Sequence, residues 1–206
     1  SGDTDVIFLK GIGQKHQGLE VEGSMKLNDM VRLDGAVSFG KWKFDGDADG
    51  LYTEYAEDAP IQTAYTYTLD GLYVGDQPQT AYVLGTTLTP MDGLRLQGIF
   101  KMYDKNYADW SPDSRELSGD ADRSQVWQAP GYNRLDLHAS YKLPKVAGYD
   151  MTLTGHLFNA LDAVYVQDAV DNSQYNGFGD KLHLAHNAEV FLGTPRYFNL
   201  GLTVNF

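Results

Sequence analysis

Seven stretches of the chain alternate apolar and polar residues with a period of two, and no apolar run is longer than a few residues. That pattern is the mark of strands whose two faces meet different surroundings. It excludes transmembrane helices, which need about 20 consecutive apolar residues. Leu19, Val21, Gly23, Met25 and Leu27 alternate with Glu20, Glu22, Ser24 and Lys26; Val31, Leu33, Gly35, Val37 and Phe39 alternate with Arg32, Asp34, Ala36 and Ser38. A weaker segment covers 79–88, with apolar residues on both faces. The others set Leu94, Leu96, Gly98, Phe100 and Met102 against Arg95, Gln97, Ile99, Lys101 and Tyr103, and Leu135, Leu137, Ala139 and Tyr141 against Arg134, Asp136, His138 and Ser140. Met151, Leu153, Gly155 and Leu157 oppose Thr152, Thr154 and His156, and Phe198 to Phe206 closes the series. Val6 to Lys10 is expected to end a preceding strand.

The connections alternate short and long. Asn28–Met30, Thr89–Gly93 and Leu143–Gly148 are short, whereas 45–77, 104–131 and 161–194 are long. Outer-membrane barrels have short turns on one rim and long loops on the other, and a soluble β-sandwich, the competing reading, has no reason to sort loop lengths by end. Gln62–Thr68 and His186–Leu192 are expected to be strand extensions beyond the membrane. Phe39, Trp42, Tyr103, Tyr107, Tyr132, Phe158, Tyr197 and Phe198 gather at the long-loop ends, and Tyr141, Tyr149 and Phe206 at the other, as interfacial aromatic girdles do.

Composition sharpens the limits. A net charge of −12 argues against nucleic acid as a partner. The absence of cysteine excludes disulfides and thiolate metal sites. Ser1-Gly2-Asp3 begins no signal peptide, so an export signal is expected upstream. The inward faces carry Glu20, Glu22, Arg32, Asp34, Arg95, Lys101, Arg134, Asp136 and His138, and so many charges need water or a polar plug beside them.

Several segments resemble one family. The ending Asn199, Gly201, Val204, Phe206 is similar to the assembly signal of outer-membrane barrels. Gly18-Leu19-Glu20, Leu72-Tyr73-Val74-Gly75-Asp76-Gln77-Pro78-Gln79, Pro130-Gly131-Tyr132-Asn133-Arg134-Leu135-Asp136 and Leu157-Phe158-Asn159-Ala160-Leu161-Asp162-Ala163-Val164-Tyr165 resemble, in that order, segments from the last third of TonB-dependent receptors, although the fourth has Leu-Phe-Asn-Ala-Leu-Asp where the family has Asn-Leu-Phe-Asp. The resemblance implies an all-β, antiparallel transmembrane barrel, with residues 1–206 supplying about seven strands of a roughly 22-stranded wall around a plug. It implies import of an iron chelate, vitamin or glycan, with plug and TonB-contact segment outside these residues. Implied partners are the lipid bilayer, the rest of the barrel and its plug, a TonB-type energy-coupling protein, and a surface lipoprotein. The alternative is a small self-contained structural or adhesive barrel, which would pair residues 197–206 with 14–28.

In the loops, Asp45-Gly46-Asp47-Ala48-Asp49-Gly50 has the alternating carboxylates and turn glycine of a calcium loop, so calcium is an expected ligand of 45–58. The twelfth position is Ala56 rather than an acid, and a solvated acidic turn is the competing reading. Tyr52, Tyr55, Trp110, Trp127, Tyr175 and Phe178 are candidate ligand-stacking residues, or the small core of a loop layer. His183 and His186 lack an evident third metal ligand; His138 and His156 alternate inward. No catalytic triad or phosphate loop appears, and no enzyme activity is expected.

Overall fold

The structure is a computed structural model that describes residues 6–55, 60–112, 115, 122–146, 148–171 and 182–205. In chain order the strands are β1 (Val6–Lys10), β2 (Gln14–Lys26), β3 (Val31–Phe44), β4 (Ala48–Tyr55), β5 (Pro60–Tyr67), β6 (Thr80–Met91), β7 (Leu94–Asp104), β8 (Asn106–Tyr107), β9 (Asp109–Trp110), β10 (Gln128–Ala129), β11 (Tyr132–Val146), β12 (Tyr149–Phe158), β13 (Val166–Asp171), β14 (Ala188–Leu192) and β15 (Tyr197–Asn205).

Seven of them form one antiparallel sheet in the order β2-β3-β6-β7-β11-β12-β15. Each is long enough for a tilted membrane crossing, which takes about 9–11 residues. The alternation in the sequence becomes two faces. One register row runs Met25, Leu33, Thr86, Gly98, Leu137, Leu157, Phe198 across all seven strands. The adjacent row runs Lys26, Arg32, Thr87, Gln97, His138, His156, Asn199. Apolar side chains of the first face stand exposed, Phe198 at 73% and Leu200 at 72%. Exposed apolar area of this extent suits lipid, not water.

Short turns join these strands on one rim. At the first, Asn28 Oδ1 accepts the amide protons of Met30 and Val31 at 2.8 and 2.9 Å, so its side chain closes the turn. Among the described residues β2 and β15 do not pair with one another, so the sheet is an open arc rather than a closed small barrel.

Val6–Lys10 does not end a separate neighbouring strand. It continues the β2–β3 ladder: Lys10 faces Asp49 and Gln14 faces Phe44, so residues 11–13 lie opposite the longer segment 45–48. This one-residue bulge bends the ladder away from the wall. Gly13 is required there, because a Cβ would lie 2.6 Å from the Asp45 carbonyl oxygen. Beyond the bulge β1, β4 and β5 form their own three-stranded sheet. Gln62–Thr68 thus falls largely in β5, and His186–Leu192 in a 3-10 turn followed by β14, which pairs with β13.

The expected long-loop girdle is thinner than the sequence suggested. Phe39 and Phe198 lie on the apolar face, but Tyr103, Tyr132, Phe158, Tyr197 and Trp42 share rows with the polar one, and Tyr107 is buried in the loop layer. Position along a strand was legible, but only odd or even register decides the face.

Candidate ligand-facing surface

The long connections build a second core above the wall. Phe44, Ala48, Tyr67, Leu69, Leu72, Tyr107 and Val126 are buried together, with Trp110 packed against them. Trp110 stands edge-on to Phe44 at 6.1 Å and tilts against Tyr67 at 6.5 Å. Tyr73 stacks on Tyr107 at 4.2 Å, and burial together with Tyr73 pushes the Tyr107 phenol up to about 12. Below them Gln79 replaces a ladder rung: its side-chain amide donates to the Trp42 carbonyl at 3.1 Å and accepts the Trp42 amide proton at 3.0 Å. Nearby, burial, a hydrogen bond with Asp168 and the charge of Asp109 raise the Asp76 carboxyl to about 6.

The four candidate stacking residues among the described ones are spread over more than one element. Trp110 belongs to the loop core. Tyr52 and Tyr55 lie on β4, Tyr52 with its ring 6.4 Å from Tyr65. Trp127 is half-buried and donates its amide proton to Asp171 Oδ2 at 2.8 Å. Tyr175 and Phe178 lie outside the described residues.

The aspartates of the expected calcium loop have other partners. Asp47 receives both guanidinium nitrogens of Arg123 at 3.1 and 2.8 Å, and its Oδ1 also accepts the amide protons of Leu69 and Asp70. The Arg123 hydrogen bond holds the Asp47 carboxyl below the usual range, against the opposing effect of burial. Asp49 accepts the Thr66 hydroxyl at 3.1 Å, and Asp45 uses its backbone N–H to reach the Gly13 carbonyl. Among the described residues no three His, Asp or Glu side chains gather as a metal cage.

A charged cluster that spacing gave no sign of ties the loops together. Arg115 is fully buried and donates to the carbonyls of Ser124 and Asp122. The Arg115 carbonyl in turn accepts the Thr68 amide and hydroxyl protons. His183 lies between Asp171, 2.8 Å from Nδ1, and Asp122, 2.5 Å from Nε2. Burial alone would lower the imidazole; the hydrogen bonds to Asp171 and Asp122 outweigh it and raise the group above its ordinary value. Carboxylates at both nitrogens favour the doubly protonated ring over the neutral one, against the opposing charge of Arg115. His183 also takes a left-handed backbone at φ 50°, and no sequence motif announces its partners.

On the inner wall, two segments that carried the family resemblance meet. Asp136 is 2% exposed. It pairs with Lys101 at 3.0 Å and Arg134 at 3.6 Å, and it accepts the Asn159 amide proton at 2.9 Å. Asn159, buried and at φ 47°, donates through its side chain to the carbonyls of Ala163 and Thr194. Tyr165 stacks on Tyr132 at 4.2 Å and takes a hydrogen bond from Arg134 at 3.1 Å. Shallow cavities open along this face. One of 410 Å³ is lined by Arg95, Gln97, His138, Ser140, His156 and Phe158, and another of 580 Å³ includes Glu22, Arg32 and Asp34. Asn199, Gly201 and Val204 lie in β15, hydrogen-bonded to β12; Phe206 lies outside the described residues.

The chain matches the family described as TonB dependent receptor-like, beta-barrel over residues 2–160. A comparison with curated proteins gives no match. Among solved structures it is similar to BauA, the ferric preacinetobactin receptor of Acinetobacter baumannii, at 16% identity and a TM-score of 0.46, covering 94% of this chain and 29% of that receptor. The family match spans most of the sequence, and the chain belongs to the TonB-dependent receptor β-barrel family.

Proposed function

We propose that this chain forms about seven strands of the wall of a roughly 22-stranded outer-membrane importer. The observation that carries the reading is the pair of adjacent register rows, one mostly apolar and one polar, running across all seven strands of the sheet beneath a packed loop layer. The apolar row meets lipid. The polar face lines a lumen in which a plug satisfies groups such as Arg95 and Arg32. The loop layer meets a scarce ligand outside the cell, an iron chelate, vitamin or glycan, and exposed aromatic side chains such as Tyr55 contact it. A TonB-type protein draws on the plug to drive import. The remaining strands pair with the free edges of β2 and β15, since an unpaired edge in lipid leaves backbone groups unsatisfied at several kcal/mol each. Asn199, Gly201, Val204 and Phe206 act as the assembly signal.

The test is uptake of labelled ferric siderophores, cobalamin and oligosaccharides by cells with and without the intact protein, each with and without a protonophore. Uptake of one of them that requires both the protein and the proton gradient is the expected result. Uptake indifferent to the gradient overturns energised import, and recovery of the protein in the soluble fraction overturns the membrane reading altogether.

A further inference from the structure

Lys15 on β2 and Lys43 on β3 are directly opposed in the register, and Lys41, opposite Gln17, is the next position along the same face. The β2–β3 register runs without a shift from Lys26 to Gln14, so these residues continue the apolar face of Met25, Val21 and Leu19 past its end. The row before them, Leu19 and Phe39, closes the apolar belt on the long-loop rim, where Phe39 stands edge-on to Tyr82 at 5.5 Å. Like charges directly opposed across a ladder are destabilising, and such a breach of local pairing marks a surface shaped for another purpose. We propose that Lys15, Lys41 and Lys43 form a patch that binds the phosphate groups of a lipid in the outer leaflet, which rests on the outer-membrane wall proposed above.

Charge and position both favour that occupant. The chain carries a net −12, yet other lysines are compensated: Lys26 pairs with Asp29, Lys101 with Asp136, and Lys142 and Lys145 with Asp150, at 2.8–3.7 Å. Beyond the bulge, Lys10 faces Asp49. Among the described residues none of Lys15, Lys41 and Lys43 has a carboxylate within ion-pair distance, and Asp104, on the same face, lies two strands from β3. Lys15 and Lys41 are exposed. Lys43 is half-buried, with Nζ 4.4 Å from the centre of the Tyr73 ring. An ammonium group on a ring face keeps N–H donors for an anion. Opposed Cβ atoms lie about 4.5–5.5 Å apart and diagonal ones about 7–8 Å, so three long, flexible side chains can close on one phosphate. Leu19, Phe39 and Tyr82 then meet the acyl chains while the lysines reach the headgroup layer. A small soluble anion would make no use of the adjoining apolar surface.

The intact protein, folded in neutral detergent, is incubated with bisphosphorylated lipid A or with lipid A stripped of its phosphates, and bound lipid is counted by native mass spectrometry. Retention of the bisphosphorylated form and loss of the other are expected. Lys15→Gln, Lys41→Gln and Lys43→Gln should each weaken retention about fivefold, and together on the order of 100-fold, the scale for basic side chains at an anionic lipid surface. Lys145→Gln, the same charge change on the opposite rim, should leave it unchanged. Lys15→Glu sets opposite charges across the ladder, so it should lose the lipid while raising the denaturant midpoint of the lipid-free barrel; a merely structural Lys15 would show a lowered midpoint. Equal retention of the two lipids, or unchanged retention in the folded triple variant, overturns the patch alone. Displacement of the lipid by an equal concentration of inorganic phosphate overturns the lipid as occupant. A protein that stays soluble without detergent overturns the membrane wall and the patch together.

Discussion

Asp136 Oδ1 accepts the backbone N–H of Asn159 at 2.9 Å, a side-chain bond that joins the Leu135–Ala160 backbone bond in fastening the start of β11 to the end of β12. The carboxylate is almost fully buried between Lys101 and Arg134. Asp136→Ala should therefore destabilise the wall by about 3–5 kcal/mol, the scale for leaving buried charges unpaired. Asp136→Asn keeps an acceptor for Asn159 and should cost less. The denaturant midpoint of the folded, unboiled gel band orders the three proteins. Equal midpoints for all three would contradict the assignment.

The two rows of the sheet predict opposite tolerance to charge. Leu137→Arg places a guanidinium on the apolar face and should cost about 2–4 kcal/mol if it lies near the bilayer midplane. Gln97→Arg, one register row away on the polar face, should cost far less. Folding yield into lipid vesicles measures both, and similar yields would reverse the facing of the sheet.

The loop that carries Asp45, Asp47 and Asp49 should be indifferent to calcium chelation, because Asp47 is already engaged by Arg123. Asp47→Asn should instead speed protease cleavage of the first and second long loops together. The lowered Asp47 carboxyl adds a pH signature: its contribution is present above the ordinary carboxylate pKa of about 3.9 and is lost as pH falls through the lower folded value. Protection that depends on calcium would support the metal reading instead.

His183 gives the opposite sign. Its folded value is raised by Asp171 and Asp122 over the opposing effect of burial, with Arg115 close by as the countering charge. The stabilisation is therefore complete below the ordinary imidazole pKa of about 6.5 and is lost as pH rises through the raised value. Amide exchange at Thr68 and Trp127, which hydrogen-bond to the Arg115 carbonyl and Asp171, should quicken on the alkaline side. His183→Ala should show fast exchange at every pH.

Gly193 supports the same seam from above. A Cβ there would fall 1.9 Å from the Tyr165 ring, so Gly193→Ala must push Tyr165 off Tyr132 and Arg134. A cost of about 1–3 kcal/mol is expected for such overpacking, again visible as an earlier denaturant midpoint.

What could be read in advance follows from range. Alternation is local, so Leu135 to Tyr141 declared both faces of β11 before any partner was known. The turns at Asn28 and Gly93 were equally local. Tyr132 was placed at the correct rim but on an unspecified face, and Tyr103 was counted in the girdle although its own alternation set it on the polar side, because a girdle is a matter of register and not of position alone. Val6–Lys10 was legible as a strand, whereas its pairing with β4 depends on a bulge at Gly13 that alternation does not encode. The loop contacts lay out of reach for a further reason. The spacing of Asp45, Asp47 and Asp49 describes what a short peptide could chelate. The partner that claims Asp47, Arg123, is 76 positions away. Arg115, Asp122, Asp171 and His183 are similarly scattered, and only the folded loops bring them into contact.

The ion pair between Asp47 and Arg123 couples the first long loop to the second. A loop grafted from this protein onto another barrel would arrive with its counter-charge left behind. Sequence change in one loop is likewise answerable to another: replacing Arg123 leaves an anion facing the amides of Leu69 and Asp70, and replacing Asp47 leaves a free cation on the neighbouring loop. A substitution at either position should thus be accompanied, where the loops keep their packing, by a second change across the crown.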